Sequence, residues 1–581
     1  MLVMTTGRVA REWLFSGKRG CFNLRRDRTA GGNMCALLVF GWLMLTTGGD
    51  VCGSATQTAP AVNTNAMPLA VLRQLVVHRN ESIQIKAIEY EISRKAHAAE
   101  RGIFEPAVVA SIEHVDSQRP NNSQQYANLG LYSVPEMDER NTIYDGGLEF
   151  LVPSGARLKA GVTLRELNNN LQPLRKVGTE YESFAGARLV QPLLKNFGPG
   201  PTLARIRLAA VASEIAFQEY RRQLILSLGQ AESGYWDLYL AQEQERLTAE
   251  SVGIAEKLLA DNRARVEVGK GSALEVLQAE AGAAFRRTRM NEARQKVIET
   301  ATRLGSLYSY VSGGTNALPW AVDAPELESE EPALSDSYEL AFQFNPDFIV
   351  RRCQLDQEKI RVAYTRNQRL PQLDLKASFG LNGLGLSPGE SWDELGRGEY
   401  PVWSVGVELR VPITGGIKER NEYQAALMAK RKALIGLKEI EVQVYNAVDA
   451  AIQKVRLYRD NVASYKAVAD FHQKLLEAQL DRLAVGAIDS KTVLETEEKL
   501  FEAKVAVVES KVLYKRAQLE HEMICGTLLK ARDLETTREL LSARTAARLT
   551  EAGYSAPAIE QFKRTAVADV NRALTEGASR K

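Results

Sequence analysis

Two polar–apolar patterns alternate along the chain, one stepping by 3 and 4 residues and one by 2, and each occurs twice. From Arg205 to about Val268, and again from Ile417 to about Val485, no proline interrupts the sequence. In the second stretch Val444, Val448, Ala451, Val455, Tyr458, Val462, Tyr465, Ala469, His472, Leu476, Gln479 and Leu483 step by 4 and 3, and ten of the twelve are apolar. A repeat near 3.5 residues predicts helices packed as left-handed coiled coils, with His472 a packed residue of that stripe. At about 1.5 Å per residue each helix would be roughly 95–100 Å long, too long for a compact domain.

Both helices run into a glycine break that repeats. Arg265–Glu280 (RVEVGKGSALEVLQAE) returns 217 residues later as Arg482–Glu497 (RLAVGAIDSKTVLETE), with six of sixteen positions identical. A helical pattern enters, stops at Gly269 or Gly486, and a second pattern leaves, which predicts a helical hairpin in each half.

The period-2 pattern is confined to shorter runs. In Gln372–Leu381 the residues Leu373, Leu375, Ala377, Phe379 and Leu381 alternate with polar or small ones, and in Val402–Val411 the apolar set is Trp403, Val405, Val407, Leu409 and Val411. About ten residues of strict alternation has the length of a strand crossing a bilayer, although any one run equally fits a half-buried strand of a soluble sheet. Ala107–His114 and Phe184–Gln191 are the first-half counterparts. An additional hairpin, Gly147–Val152 and Arg157–Leu164, turns at Pro153-Ser154-Gly155.

The short helices repeat as well. Asn80–Ile112 aligns without gaps on Asn345–Ala377 at an offset of 265, superposing Asn80 on Asn345 and Pro106 on Pro371. Each half therefore reads helix, Pro, strand, strand, Pro, long helix, Gly turn, long helix. The predicted organisation is an export signal at 1–55, a first repeat at 56–312, a Pro-rich acidic linker at 313–335, a second repeat at 336–529 and a charged tail at 530–581, for which either docked or frayed helix is expected.

Composition removes most alternatives. Net charge is +2 over 581 residues, so no polyanionic partner such as nucleic acid is indicated. Arg25, Arg26 and Arg28 precede the apolar run Cys35–Leu45 and then Gly53-Ser54-Ala55, the layout of a cleaved export signal, with Met34 an alternative start. Cys52 follows Gly49-Asp50-Val51, a poor match to a lipidation site. The five cysteines show neither metal spacing nor a disulfide framework. His521-Glu522-Met523-Ile524-Cys525 lacks the second histidine of a zinc protease motif, and Gly269-Lys270-Gly271-Ser272 is not a phosphate loop. Glu497 and Glu498 read as solvated charge. No catalytic, metal or cofactor site is predicted.

Exported chain, duplicated strands of bilayer length and duplicated long helices meeting at glycines together resemble the TolC family of outer-membrane efflux and secretion channels. The resemblance covers about residues 69–530. It rests on the ordered recurrence of helix–Asn–Pro–strand openings, the strand exits Gln191-Pro192-Leu193 and Val411-Pro412-Ile413, the segment Tyr235-Trp236-Asp237-Leu238, and the two R-x3-G-x6-V-L turns. It implies a mainly α fold with β, in which duplicated coiled-coil helical hairpins form a tunnel and strands contribute to a trimeric transmembrane β-barrel of four strands per protomer. The function implied is a passive exit duct in the outer membrane, reaching through the periplasm to a periplasmic adaptor and an inner-membrane pump. By motif match, adaptor docking falls to Val268, Gly269, Lys270, Ser272, Val485, Gly486 and Asp489. The periplasmic gate falls to Glu275, Thr492 and Glu495; Thr492 stands where family members often carry an acid. The extra hairpin departs from a four-strand protomer. A periplasmic adaptor or a coiled-coil scaffold are the alternatives, but neither accounts for both the duplication and the strands.

Overall fold

The computed structural model describes residues 66–120, 136–170, 178–269, 271–309, 318–327, 331–413, 415–484 and 487–551. The expected export signal, Lys270, Val485, Gly486 and the chain beyond residue 551 lie outside them. In order, the elements are α1 (Leu69–Arg79), α2 (Glu81–Arg101), β1 (Ala107–Pro120), β2 (Glu136–Leu151), β3 (Arg157–Leu167), β4 (Glu180–Pro192), α3 (Ala204–Glu267), α4 (Ala273–Ser306), α5 (Leu334–Phe344), α6 (Pro346–Gln368), β5 (Gln372–Gly385), α7 (Pro388–Arg397), β6 (Pro401–Arg410), α8 (Ile417–Ala484), α9 (Ser490–Cys525) and α10 (Arg538–Glu551).

The duplication is visible at single bonds. Asn80 caps α2 through the Ile83 N–H at 3.1 Å, and its amide donates to the Leu307 carbonyl at 2.9 Å. Asn345 caps α6 through the Phe348 N–H at 3.0 Å and donates to the Ile524 carbonyl at 2.8 Å. An Asn at this position both satisfies an orphan helix donor and ties the short helix to the end of the long hairpin of its own half.

The helices form a layer. Its upper part runs in the order α2, α3, α6, α8, and lower down α3 and α8 pack against their hairpin partners α4 and α9, with α9 also against α3. The predicted stripe of α8 is buried at Val444, Val448, Ala451, Val455 and Val462, and again at Leu476 and Leu483, but Tyr465 is 43 % exposed.

The sheet is a single antiparallel meander in the order β1–β2–β3–β4–β5–β6. The hairpin expected to depart from the family pattern is thus part of the sheet, lying between β1 and β4 in unbroken register. Its turn is seated on the exit of β4: Gln191 bonds Ser154 through both its Oε1 and its Nε2, and Gly198 N–H donates to the Ser154 carbonyl at 2.9 Å. The register gives the sheet two distinct faces. One carries Val108, Ile112, Tyr144, Leu148, Leu158, Val162, Leu164, Leu189, Phe379, Trp403, Val405 and Val407; the other carries Glu113, Asp145, Lys159, Thr163, Arg165, Glu182, Lys376, Ser378, Ser404 and Glu408. Cross-strand ion pairs link the polar face, with Lys159–Asp145 at 2.8 Å and Arg165–Glu182 at 3.3 Å. On the same face Gly147, Gly161, Gly186 and Gly380 stand opposite one another across four strands. A Cβ on Gly161 would lie 2.5 Å from the Gly146 carbonyl oxygen, and one on Gly186 2.6 Å from that of Phe379, so the strands approach there as only glycine allows.

Where the halves join, Tyr235 is fully buried and accepts from the N–H groups of Val322 and Asp323, both at 2.9 Å, while its hydroxyl donates to the Met67 carbonyl at 3.1 Å. Glu232, 2 % exposed, is met by Arg73 at 2.6 Å and by Arg532 at 3.3 Å. The latter arginine belongs to the tail, which docks rather than frays over its described part: α10 lies against α2, buries Leu541 and Ala546, and Arg548 donates to the His78 carbonyl at 2.9 Å. Among the described residues no helix is long and apolar enough to cross a membrane.

His521, singled out for its motif, packs between α9 and α5, its Nε2 2.9 Å from Ser337 Oγ and 3.5 Å from Cys525 Sγ. Burial lowers its pKa. A histidine held neutral in the fold contributes stability above its unfolded pKa of about 6.5 that is lost as pH falls below that value. The melting temperature will therefore drop between about pH 7 and pH 5, and His521→Gln will flatten that dependence; an unchanged slope in the variant assigns the titration elsewhere.

Candidate functional site

Of the residues expected to dock a partner and to gate, Val268, Gly269, Ser272, Glu275, Asp489, Thr492 and Glu495 are described, and they lie at the two helical tips. At the first, α3 ends at Glu267, Val268 is 69 % exposed, and Gly269 takes φ +76°, the left-handed conformation that stops the helix. Ser272 then caps α4, accepting from the Leu274 N–H at 3.2 Å, while the Glu275 carboxylate accepts from the Ser272 N–H at 3.3 Å. This is a reciprocal capping box, so Glu275 is engaged in starting its own helix.

At the second tip Asp489 caps α9. It accepts from the Thr492 hydroxyl at 2.5 Å and from the Thr492 N–H at 3.1 Å, and these two bonds hold its carboxyl below the usual range. Thr492, expected at the gate, thus has its hydroxyl committed to the cap. Glu495 is exposed and stands 3.7 Å from Lys491 one turn back. The structure brings Ser272 to Glu275 and Asp489 to Thr492, and leaves Glu495 outside both caps.

Sequence reasoning missed what joins the tips. Arg265 donates to the Leu483 carbonyl at 3.0 Å, and Ser490 donates to Asn262 Oδ1 at 2.9 Å. Two turns further in, Arg286 of α4 meets Glu497 of α9 at 2.6 Å, donates to Ser251 Oγ at 3.0 Å and to the Leu494 carbonyl at 3.2 Å. Glu498 pairs with Arg289. The reading of Glu497 as solvated charge is therefore corrected: it is 3 % exposed and Arg286 is 5 % exposed. Its partner comes from 211 residues away, which no local pattern reveals. Glu280, the repeat counterpart of Glu497, is exposed and only loosely paired with Arg263 at 3.4 Å. Leu274 and Leu277, 61 % and 64 % exposed, also went unnoticed as apolar surface beside the first tip.

Against known families, residues 185–308 and 337–523 match the outer membrane efflux protein family, together more than half of the chain. The chain belongs to the outer membrane efflux protein family. Relatives include the outer membrane efflux protein BepC of Brucella suis, 23 % identical over 377 residues (64 % of this chain, 77 % of BepC). The alkaline protease secretion protein AprF of Pseudomonas aeruginosa is 22 % identical over 382 residues (64 % and 76 %). Similar solved structures include the open Neisseria gonorrhoeae MtrE channel, with TM-score 0.56 and 16 % identity over 81 % of this chain and 91 % of that one. The Campylobacter jejuni CmeC channel gives TM-score 0.54 and 15 % identity over 79 % and 85 %.

This efflux protein is accordingly an exit duct of the outer membrane for efflux or secretion, with a long periplasmic helical extension, and not an enzyme. Family membership removes the adaptor and scaffold alternatives. The helical layer and the two-faced sheet are the tunnel and the barrel portion of that duct.

Proposed function

We propose that three copies of this efflux protein form the conducting duct, that its apolar sheet face meets outer-membrane lipid, and that its tips receive a periplasmic adaptor coupled to an inner-membrane pump. The observation that carries the trimer is that both ends of the protomer are bare. At one end α2 exposes Ile85, Ile88 and Ile92; at the other α8 exposes Met428, Ile435 and Val442 at intervals of seven. Two different apolar edges on one chain make a head-to-tail contact, which closes as a ring when the rotation allows.

For the adaptor, the docking surface comprises Val268, Gly269, Lys270 and Ser272 on the first tip and Val485, Gly486 and Asp489 on the second, extended by Leu274 and Leu277. Apolar side chains exposed beside a capped turn offer a partner's helical hairpin a rigid seat. For the gate, Glu495 is the exposed carboxylate outside both caps, in a loose surface pair with Lys491, whereas Glu275 is engaged in its capping box and Thr492 in the Asp489 cap. Three Glu495 side chains at close quarters favour cations. Glu495→Gln will reduce the cation preference of single channels in planar bilayers; an unchanged reversal potential excludes Glu495 from the constriction. The duct as a whole is tested by single-particle imaging of detergent-extracted protein. A threefold tube longer than about 100 Å, as the helix lengths require, supports it, and a soluble monomer without detergent overturns it.

A further inference from the structure

We propose that the membrane wall of this efflux protein is made of six strands per protomer, and that β6 of each copy pairs with β1 of the next to close an eighteen-stranded barrel instead of the twelve-stranded one expected from the family resemblance. The proposal rests on the trimeric duct reading above. It widens the outer mouth.

Four observations support it. First, the inserted hairpin β2–β3 spans the full height of the wall: Ala107 at the base of β1 pairs with Glu149, and Pro120 at its end pairs with Glu136. Second, the hairpin keeps the wall's two faces, since the apolar side runs from Ile112 to Tyr144 to Leu164 and the polar side from Ser111 to Asp145 to Thr163 without a slip. The apolar parity holds over the height shared with β4, up to Ile112, Tyr144 and Leu164, and above it the same face turns polar with Asp116, Arg140 and Glu166; a hairpin serving only as an extracellular rim has no reason to keep an apolar face over that lower height. Third, the edges are open and compatible. β1 runs away from the helices and β6 runs back toward them, so a β6–β1 contact between copies is antiparallel like every other pair in the sheet. Both edges are exposed, with Val108 at 80 % and Trp403 at 70 %, and an unpaired strand edge does not persist inside lipid.

The fourth observation is the match of circumferences. Six strands at about 4.8 Å spacing and about 40° tilt occupy about 38 Å of wall. Below them α2, α3, α6 and α8 stand side by side, and four helices at about 9–10 Å between axes also occupy about 38 Å. Four strands at the same tilt would cover only about 25 Å. With six, barrel and tunnel meet without a step at a backbone diameter of about 36 Å, close to that of porins with an open aqueous channel.

Cysteine cross-linking in intact outer membranes of the full-length protein tests this. Ile112→Cys is combined in turn with Trp403→Cys, Val405→Cys and Val407→Cys, all on the lipid face, and separately with Ala185→Cys on β4. The expected result after copper-phenanthroline oxidation is an SDS-resistant dimer and trimer ladder for at least one β1–β6 pair, collapsing to monomer on reduction, and no bond between Ile112→Cys and Ala185→Cys. Trimers on native gels with no β1–β6 ladder for any pair, or a β1–β4 bond, would overturn the eighteen-stranded wall while leaving the duct intact. Absence of trimers on native gels would overturn the trimeric reading itself, and the barrel with it. Because substituted edge residues can weaken assembly, strand number is also counted directly by imaging the unmodified trimer: twelve strands in the wall refute the proposal and eighteen support it.

Discussion

Glu497→Ala will destabilise the tip region by about 3 kcal/mol, because it leaves the buried Arg286 guanidinium with only the half-buried Glu498 carboxylate, 3.5 Å away and shared with Arg289. The guanidinium lies between α4 and α9, bonded to Glu497 at 2.6 Å and to backbone and Ser251 besides. In the single variant those remaining bonds hold a charge where water cannot compensate it. The double variant Arg286→Met with Glu497→Leu removes both charges and fills similar volume, so it will recover most of the loss. Limited proteolysis at the tips and basal conductance in planar bilayers are the measurements. The single variant will be cleaved faster and leak more, because α4 and α9 belong to different repeats and their separation parts the two hairpins. If the double variant is as damaged as the single one, the pair is not what holds the hairpins together.

The second large effect concerns the two faces of the sheet. Val405→Lys places an ammonium group on the apolar face of β6 near mid-strand and will cost about 2–4 kcal/mol in a bilayer. Ser404→Lys, one residue earlier, projects from the face that carries Ser378 and Glu408, and will be tolerated although it gives up the Ser404–Ser378 bond of 2.8 Å. The amount of trimer recovered from the outer membrane separates the two. Equal recovery means that the apolar face does not meet lipid. A reversed order means that the faces are assigned the wrong way round.

The repeats, the long helices, the glycine turn at Gly269 and the alternation of the strands were all legible in the chain, because each is a local property: a period, a missing proline, a glycine where a helix must stop. Asn80 and Asn345 could be superposed by sequence, and the structure gives them the same cap and the same tether. The two-faced hairpin at Gly147–Leu164 was likewise visible as alternation, but whether it extended a rim or joined the wall depended on which strands its edges met. Its place in the sheet is set by register with β1 and β4, whose pairs at the base lie more than thirty residues apart in sequence.

The tips divide in the same way. Ser272 with Glu275 is a capping box readable at a spacing of three, and Asp489 with Thr492 shares that spacing. Nothing local distinguished Glu497 from its solvated counterpart Glu280, because burial of the former depends on Arg286 arriving from the other repeat. Nor did charge along the tail show that Arg532 would meet Glu232, 300 residues earlier. The sequence by itself determined the kinds of element, their lengths and their duplication, since those follow from backbone preference and periodicity. Only the tertiary structure decided which carboxylates are buried, which strands pair in the sheet and what ties one hairpin to the other, since a charge or an edge takes its energy from whatever is placed against it.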